Sequence, residues 1–229
     1  MTILLVIACG VMLPHVVANL DNDLLGLAAS DGKWWMAVQG AAFQFGMLGG
    51  VLAGALIHRW SYRPEPALES PAPAQPTRQP ILAGVITFLI TLPLISVIGF
   101  AWSALLEAFG IVPAEQELVK LFRDADDPVL LGVMIILAVV VAPLTEELIF
   151  RAGIFRYLRT RIYRWLAMTI GALLFASMHD GITTFLPLFA FGIFFSIAYE
   201  RTGRIAVPII AHALFNLHTI ILVMAGITP

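Results

Sequence analysis

The sequence predicts an all-α fold: a polytopic membrane helical bundle with about seven transmembrane helices. Three observations carry that prediction. First, 60% of the 229 residues are hydrophobic and only 12% are charged, against about 25% charged in a soluble domain. A soluble fold of this size has too little interior for so much apolar side chain. Second, the apolar residues gather into seven runs, each at or near the roughly 20 residues that a spanning helix needs. Third, ten of the thirteen Lys and Arg residues fall in alternate connections, the asymmetry that marks cytoplasmic loops.

The runs cover residues 2–20, 35–57, 81–106, 129–150, 165–178, 183–199 and 205–225. The first lacks the basic n-region of a signal peptide. Its Val6-Ile7-Ala8-Cys9 resembles a lipoprotein cleavage site only loosely and lies too near the start. The second carries Gly46, Gly50 and Gly54 at a spacing that lets helices approach closely, within the chain or in a dimer. Residues 59–80 are rich in Pro and Ala and read as a flexible solvated linker. The linker divides a two-helix N-terminal membrane part (1–58) from a five-helix membrane domain (81–229). Residues 107–127 are acidic and read as a surface loop with room for a short helix. Trp34, Trp35, Trp60, Tyr62, Tyr163, Trp165 and Tyr199 stand at segment ends, as an aromatic belt does. With the N-terminus cytoplasmic, the second, fourth and sixth connections hold all basic residues except Lys33, Lys120 and Arg123.

Polar residues inside the apolar runs are the candidates for function, because ionisable groups in a bilayer are costly. Glu146 and Glu147 end the fourth run, with Arg151 following. Glu147 and Arg151 form a favourable i,i+4 pair, which leaves Glu146 about 100° round the helix without a fixed cation. Glu146 lies about sixteen residues before the turn at 161–164 and His179 about sixteen after it. At 1.5 Å per residue both stand roughly 24 Å from that turn and share a depth. His212 and Asn216 share one helix face, about 13 to 20 Å beyond the turn near Gly203. Pro143 should kink the helix or free a carbonyl beside the glutamates, in the service of a cavity or of packing alone. A carboxylate and an imidazole on one water can generate a nucleophile, and His212 and Asn216 offer donors for an oxyanion. Each residue also has a plain reading: a structural ion pair for Glu147 and Arg151, a helix cap for His179, interhelical hydrogen bonding for His212 and Asn216. His15, His58, His218, Gln39 and Gln44 read as structural.

These residues also form motifs. Glu146-Glu147-x-x-x-Arg151 resembles the first motif of the CPBP family (CAAX proteases and bacteriocin-processing enzymes), also called Abi. Phe175-x-x-x-His179 is similar to its second motif. Phe189-x-x-Gly192 with Tyr199-Glu200-Arg201-Thr202-Gly203 is similar to its third, and His212-x-x-x-Asn216, after Pro208, to its fourth. Ser196 stands where many members have a second glycine, a departure that concerns packing rather than chemistry. The resemblance covers residues 129–219 and implies that 81–229 is the catalytic domain of an intramembrane endopeptidase. It implies Glu146 and His179 as activators of water, His212 and Asn216 as an oxyanion hole, and Glu147 and Arg151 as supporting residues. It also implies a prokaryotic plasma membrane as location.

No cofactor is favoured. A divalent metal such as zinc has nominal ligands in Glu146, His179 and His212, but the His-Glu-x-x-His helix motif is missing, so a glutamate-type mechanism is expected over a metal-dependent one. The single cysteine, Cys9, excludes an intrachain disulfide, and a net charge of −2 argues against nucleic acid. Expected partners are the lipid bilayer and a peptide or membrane-protein substrate; oligomeric state is open. Two rivals use the same residues differently. A proton-coupled transporter would use them as a relay, although the inverted repeats common in transporters are missing from the sequence. A membrane scaffold or immunity-type protein would not use them chemically at all.

Overall fold

The computed structural model describes residues 2–18, 32–61, 77–111, 117–179 and 181–227. Every element among the described residues is helical. We number them α1 (Thr2–Ala18), α2 (Lys33–Ser61), α3 (Pro80–Ala108), α4 (Glu117–Arg123), α5 (Pro128–Arg159), α6 (Arg164–Ser177), α7 (Ile182–Thr202) and α8 (Ala206–Met224). Five of these, α2, α3, α5, α7 and α8, are long and apolar enough to cross a membrane. Their outward faces stay apolar, with Leu56, Ile81, Leu89, Phe100, Val129 and Ile136 exposed, a surface that water does not favour and lipid does. The protein is an integral membrane protein.

The expected count of seven spans is met only in part. α6 has only 14 residues, short of the roughly 20 that a full crossing takes, and α1 is described over 17 residues, Thr2–Ala18, at the lower limit for a span. α6 is bounded by Arg164 and by the break at Met178–His179, so it enters the bundle to the depth of the site and stops. α5 instead outruns its predicted end at 150, because Arg151 is buried with a partner and the helix continues to Arg159. The short helix expected within 107–127 is α4. Most of the predicted linker, residues 62–76, lies outside the described residues, as do the side chains of His58 and Trp60.

Local sequence explains how the elements are fixed. Asp127 caps α5, its side chain accepting from the amides of Val129 and Leu130, with Pro128 in the first turn where its missing N–H is harmless. α7 ends on Gly203, in the left-handed region at φ 63°. α1 lies against α2 through small residues: a Cβ on Gly46 would collide with the carbonyl oxygen of Cys9, so this glycine of the repeat serves packing within the chain. α6 and α7 approach as closely, since a Cβ on Gly192 would stand 2.7 Å from that of Ala172. Ser196 keeps that packing. It is buried and spends its hydroxyl on the carbonyl of Gly192 at 2.8 Å. The core beneath the site is aromatic, built from Phe150, Phe175, Phe191 and Phe195.

Candidate active site

α5 is not uniformly wound. Leu137–Val141 and Leu148–Phe155 follow wider, i→i+5 turns, and the α-helical stretch Ala142–Glu147 lies between them. Such widenings accompany prolines and functional sites. Here the cause is readable. The amide of Ala142 bonds to the carbonyl of Leu137, and Pro143 has no N–H. The carbonyl of Ala138 therefore loses both its i+4 and its i+5 donor. Asn216 of α8 supplies the missing hydrogen, Nδ2 donating to Ala138 O at 2.8 Å. The proline effect expected from the sequence is thus a freed carbonyl, and Asn216 closes it.

The two glutamates that follow point about 100° apart. Glu147 turns inward and is wholly buried. Its Oε1 accepts from Arg151 Nη1 at 2.8 Å and from His212 Nδ1 at 3.0 Å. The guanidinium of Arg151 lies 4.8 Å from the centre of the Phe175 ring, 5.7 Å from that of Phe195 and 5.9 Å from that of Phe191, within the range of cation–π attraction. Sequence spacing anticipated the Glu147–Arg151 pair but not its third member, His212.

Glu146 turns toward the open side. Its side chain is 15% exposed and that of His179 32%, although the carboxylate oxygen Oε2 is itself buried. Glu146 Oε2 stands 4.0 Å from His179 Nε2 and 3.8 Å from His212 Nε2. These gaps are too long for direct hydrogen bonds and suit a small bridging group. The far side of each ring is committed. His179 Nδ1 lies 2.8 Å from the carbonyl oxygen of Phe175; a carbonyl only accepts, so Nδ1 carries the hydrogen. In the neutral ring, Nε2 of His179 then presents a lone pair toward Glu146. Glu146, Glu147, Arg151, His179 and His212 thus come together, from α5, α8 and the segment just after α6, while Asn216, one turn beyond His212 on α8, is bonded to the Ala138 carbonyl.

One neighbour was missed. Gln44 of α2 donates from Nε2 to Glu146 Oε1 at 3.5 Å. A glutamine in an apolar helix carries little signal of its own, and nothing in the spacing of α2 ties it to a helix a hundred residues away. His218, by contrast, packs edge-on against Phe88 at 6.1 Å, in keeping with its structural reading. Among the described residues, no three His, Cys, Asp or Glu side chains are grouped to hold a metal ion. The nominal set Glu146, His179 and His212 does not form such a group as it stands.

The fold and cluster define a class: a polytopic membrane protein with a buried Glu–Arg–His nest backing a more open Glu–His pair. Comparison with known proteins narrows it. Residues 128–218 match the family described as type II CAAX prenyl endopeptidase Rce1-like. The chain is 36% identical over 124 residues to YdiL of Bacillus subtilis (strain 168), whose name proposes a membrane peptidase; the match covers 54% of this chain and 50% of YdiL. It is 42% identical over 84 residues to the membrane-embedded CAAX protease MroQ of Staphylococcus aureus (strain USA300), over 34% of each chain. An uncharacterized 24.3 kDa protein of Escherichia coli is 35% identical over 107 residues, 44% of this chain and 48% of that one. The chain spans about half the length of YdiL and of the Escherichia coli protein, and about a third of MroQ. No solved structure matches. The Rce1-like segment 128–218 holds every site residue named above except Gln44, and over this segment the chain is similar to that family.

Proposed function

We propose that this protein is an intramembrane endopeptidase that hydrolyses a peptide bond with a water activated by Glu146 and His179. The observation that carries the reading is the opposition of Glu146 Oε2 and His179 Nε2 at 4.0 Å, with the other nitrogen of His179 already committed to Phe175. A water between them gives up a proton as its oxygen bonds to the scissile carbonyl carbon. The C–N bond then breaks and the proton passes to the leaving nitrogen. The developing oxyanion is met by the second N–H of Asn216, whose first holds Ala138, and by His212 in its imidazolium form, in which Nδ1–H stays on Glu147 and Nε2–H is left to donate. The printed names of YdiL and MroQ support a peptidase over the transporter and scaffold readings.

No step in this scheme passes through a metal. Treating the purified enzyme with a chelator should leave turnover unchanged; loss of activity that zinc restores would replace it with a metal-dependent reaction. The substrate is a peptide precursor or a membrane-anchored protein. The protein sits in a prokaryotic plasma membrane with its N-terminus and the Arg-rich α5–α6 and α7–α8 turns in the cytoplasm.

The test compares peptides released from membranes of cells carrying the wild type or Glu146→Gln. Products that vanish in the variant define the activity. Purified Glu146→Gln and His179→Ala should each lose about 10³-fold in turnover of those products while remaining folded. Wild-type turnover in both variants would overturn the proposal.

A further inference from the structure

We infer that Gln44 is a further positioning residue of this site, supplied by α2 from outside the family segment: its carboxamide orients the Glu146 carboxylate and holds the attacking water from the side opposite the histidines. The inference rests on the hydrolytic reading above.

Four buried side-chain atoms among the described residues have no hydrogen-bond partner, and all belong to this cluster: Gln44 Oε1, Glu146 Oε2, Glu147 Oε2 and Arg151 Nη2. The first two are acceptors on adjoining groups. Gln44 donates from Nε2 to Glu146 Oε1, and a carboxylate can only accept, so this orientation of the amide is the one that makes the bond. It leaves the amide oxygen of Gln44 and the second carboxylate oxygen of Glu146 together without a donor. A buried acceptor left without a donor is destabilising. One water satisfies both, with one O–H to each; because a water has two hydrogens for these two oxygens and His179 Nε2, the O–H on Gln44 Oε1 turns to His179 as the water attacks. Its lone pairs then remain for the carbonyl carbon, and its position beside Oε2 is the position the proposed nucleophile needs. The 3.5 Å length of the Gln44–Glu146 contact is long for a hydrogen bond, as such contacts often are before substrate closes a site.

α2 is held in place for this role. Near its start, Trp34 Nε1 donates to Asp127 Oδ2, the cap of α5, at 3.0 Å. Ten residues deeper, Gln44 meets Glu146. α2 therefore runs beside α5 in the same direction, tied at the cap and at the catalytic carboxylate. The N-terminal helices are part of the active site on this account, and the segment 128–218 is incomplete without them.

The experiment uses the full chain and a quenched peptide built on the most abundant product that depends on Glu146. Gln44→Leu, which keeps bulk but loses both polar atoms, and Gln44→Asn, which keeps the amide but withdraws it, should each lower kcat about 10- to 100-fold. KM should stay within about twofold, because the effect falls on the water and not on substrate binding. Gln39→Leu, on the same helix and outside the site, should behave as wild type. A packing role would lower thermal stability and leave kcat of the folded enzyme unchanged; that result, with Glu146→Gln inactive, overturns the inference alone. Cleavage that survives Glu146→Gln overturns the hydrolytic reading and this inference together. If Gln44→Leu does not fold, Gln44→Asn decides.

Discussion

Two neighbouring carboxylates occupy opposite kinds of place. Glu147 lies in a closed nest, wholly buried, with a guanidinium at 2.8 Å, an imidazole at 3.0 Å and aromatic rings behind them. Among the described residues, Glu146, one residue earlier, meets no cationic side chain at hydrogen-bonding distance; its nearest polar contact there is an amide at 3.5 Å. Burial with matched charge makes a group inert and structural. Burial without it leaves a carboxylate that still needs a donor, and such a group can do chemistry. The helix supplies the difference through a rotation of one residue. The nest also does work for its neighbour: Glu147 holds the ring of His212, so the inner side fixes the geometry of the outer one.

The contrast is broken most sharply by removing each charge in turn. Glu146→Gln should cut turnover about 10³-fold, equivalent to roughly 4 kcal/mol of barrier, while thermal unfolding in detergent stays close to wild type. Glu147→Gln should do the reverse in kind. It strands a buried guanidinium and should destabilise the fold by about 3–5 kcal/mol, read as a lowered unfolding midpoint. Equal midpoints for the two variants would mean that the inner nest is not what holds α5 to α8. A smaller effect belongs to the packing that carries the aromatic wall. Gly192→Ala places a methyl against Ala172 at 2.7 Å and should cost about 1–3 kcal/mol through overpacking of α6 on α7. An unchanged midpoint there would show that the two helices slide apart freely.

Much of this arrangement was legible in the chain. The helices follow from apolar runs bounded by Pro, Gly and aromatic residues, and counting residues from the turns gives Glu146 and His179 a shared depth, with His212 about 13 Å beyond its own turn. Hydrophobicity marks where a helix lies but only weakly where it stops. α6 therefore reads as longer than its 14 residues, and α5 as shorter than its run to Arg159. Side-chain partnerships across helices are harder. The bond from Asn216 to Ala138 depends on a wide turn that no residue pattern announces, though Pro143 hinted at a freed carbonyl. The sharing of Glu147 between Arg151 and His212 needs the rotation of α8, and the approach of Gln44 needs that of α2. Rotation about a helix axis is set by packing, and a nearly all-apolar membrane helix carries little facial asymmetry from which to read it.

A third carboxylate sharpens the comparison by its mildness. Asp127, at the outer start of α5, is tied to the protein as Glu147 is, but at the rim of the bundle. The backbone N–H of Val129, first, and then the indole of Trp34 hold its carboxyl below the ordinary value of 3.8. The sign follows from the lowered value. The unfolded chain takes up the proton at higher pH than the folded one, so the stabilisation is complete above the ordinary carboxylate range. It fades as pH falls through the lowered folded value. Unfolding midpoints should therefore be insensitive to Asp127 between pH 7 and about pH 5 and should begin to drop only in stronger acid. Asp127→Asn keeps a capping oxygen without a titrating charge and should remove that acid-dependent drop while changing the neutral midpoint little. If the variant and the wild type lose stability in parallel down to the same acid limit, the cap of α5 contributes nothing that depends on its charge.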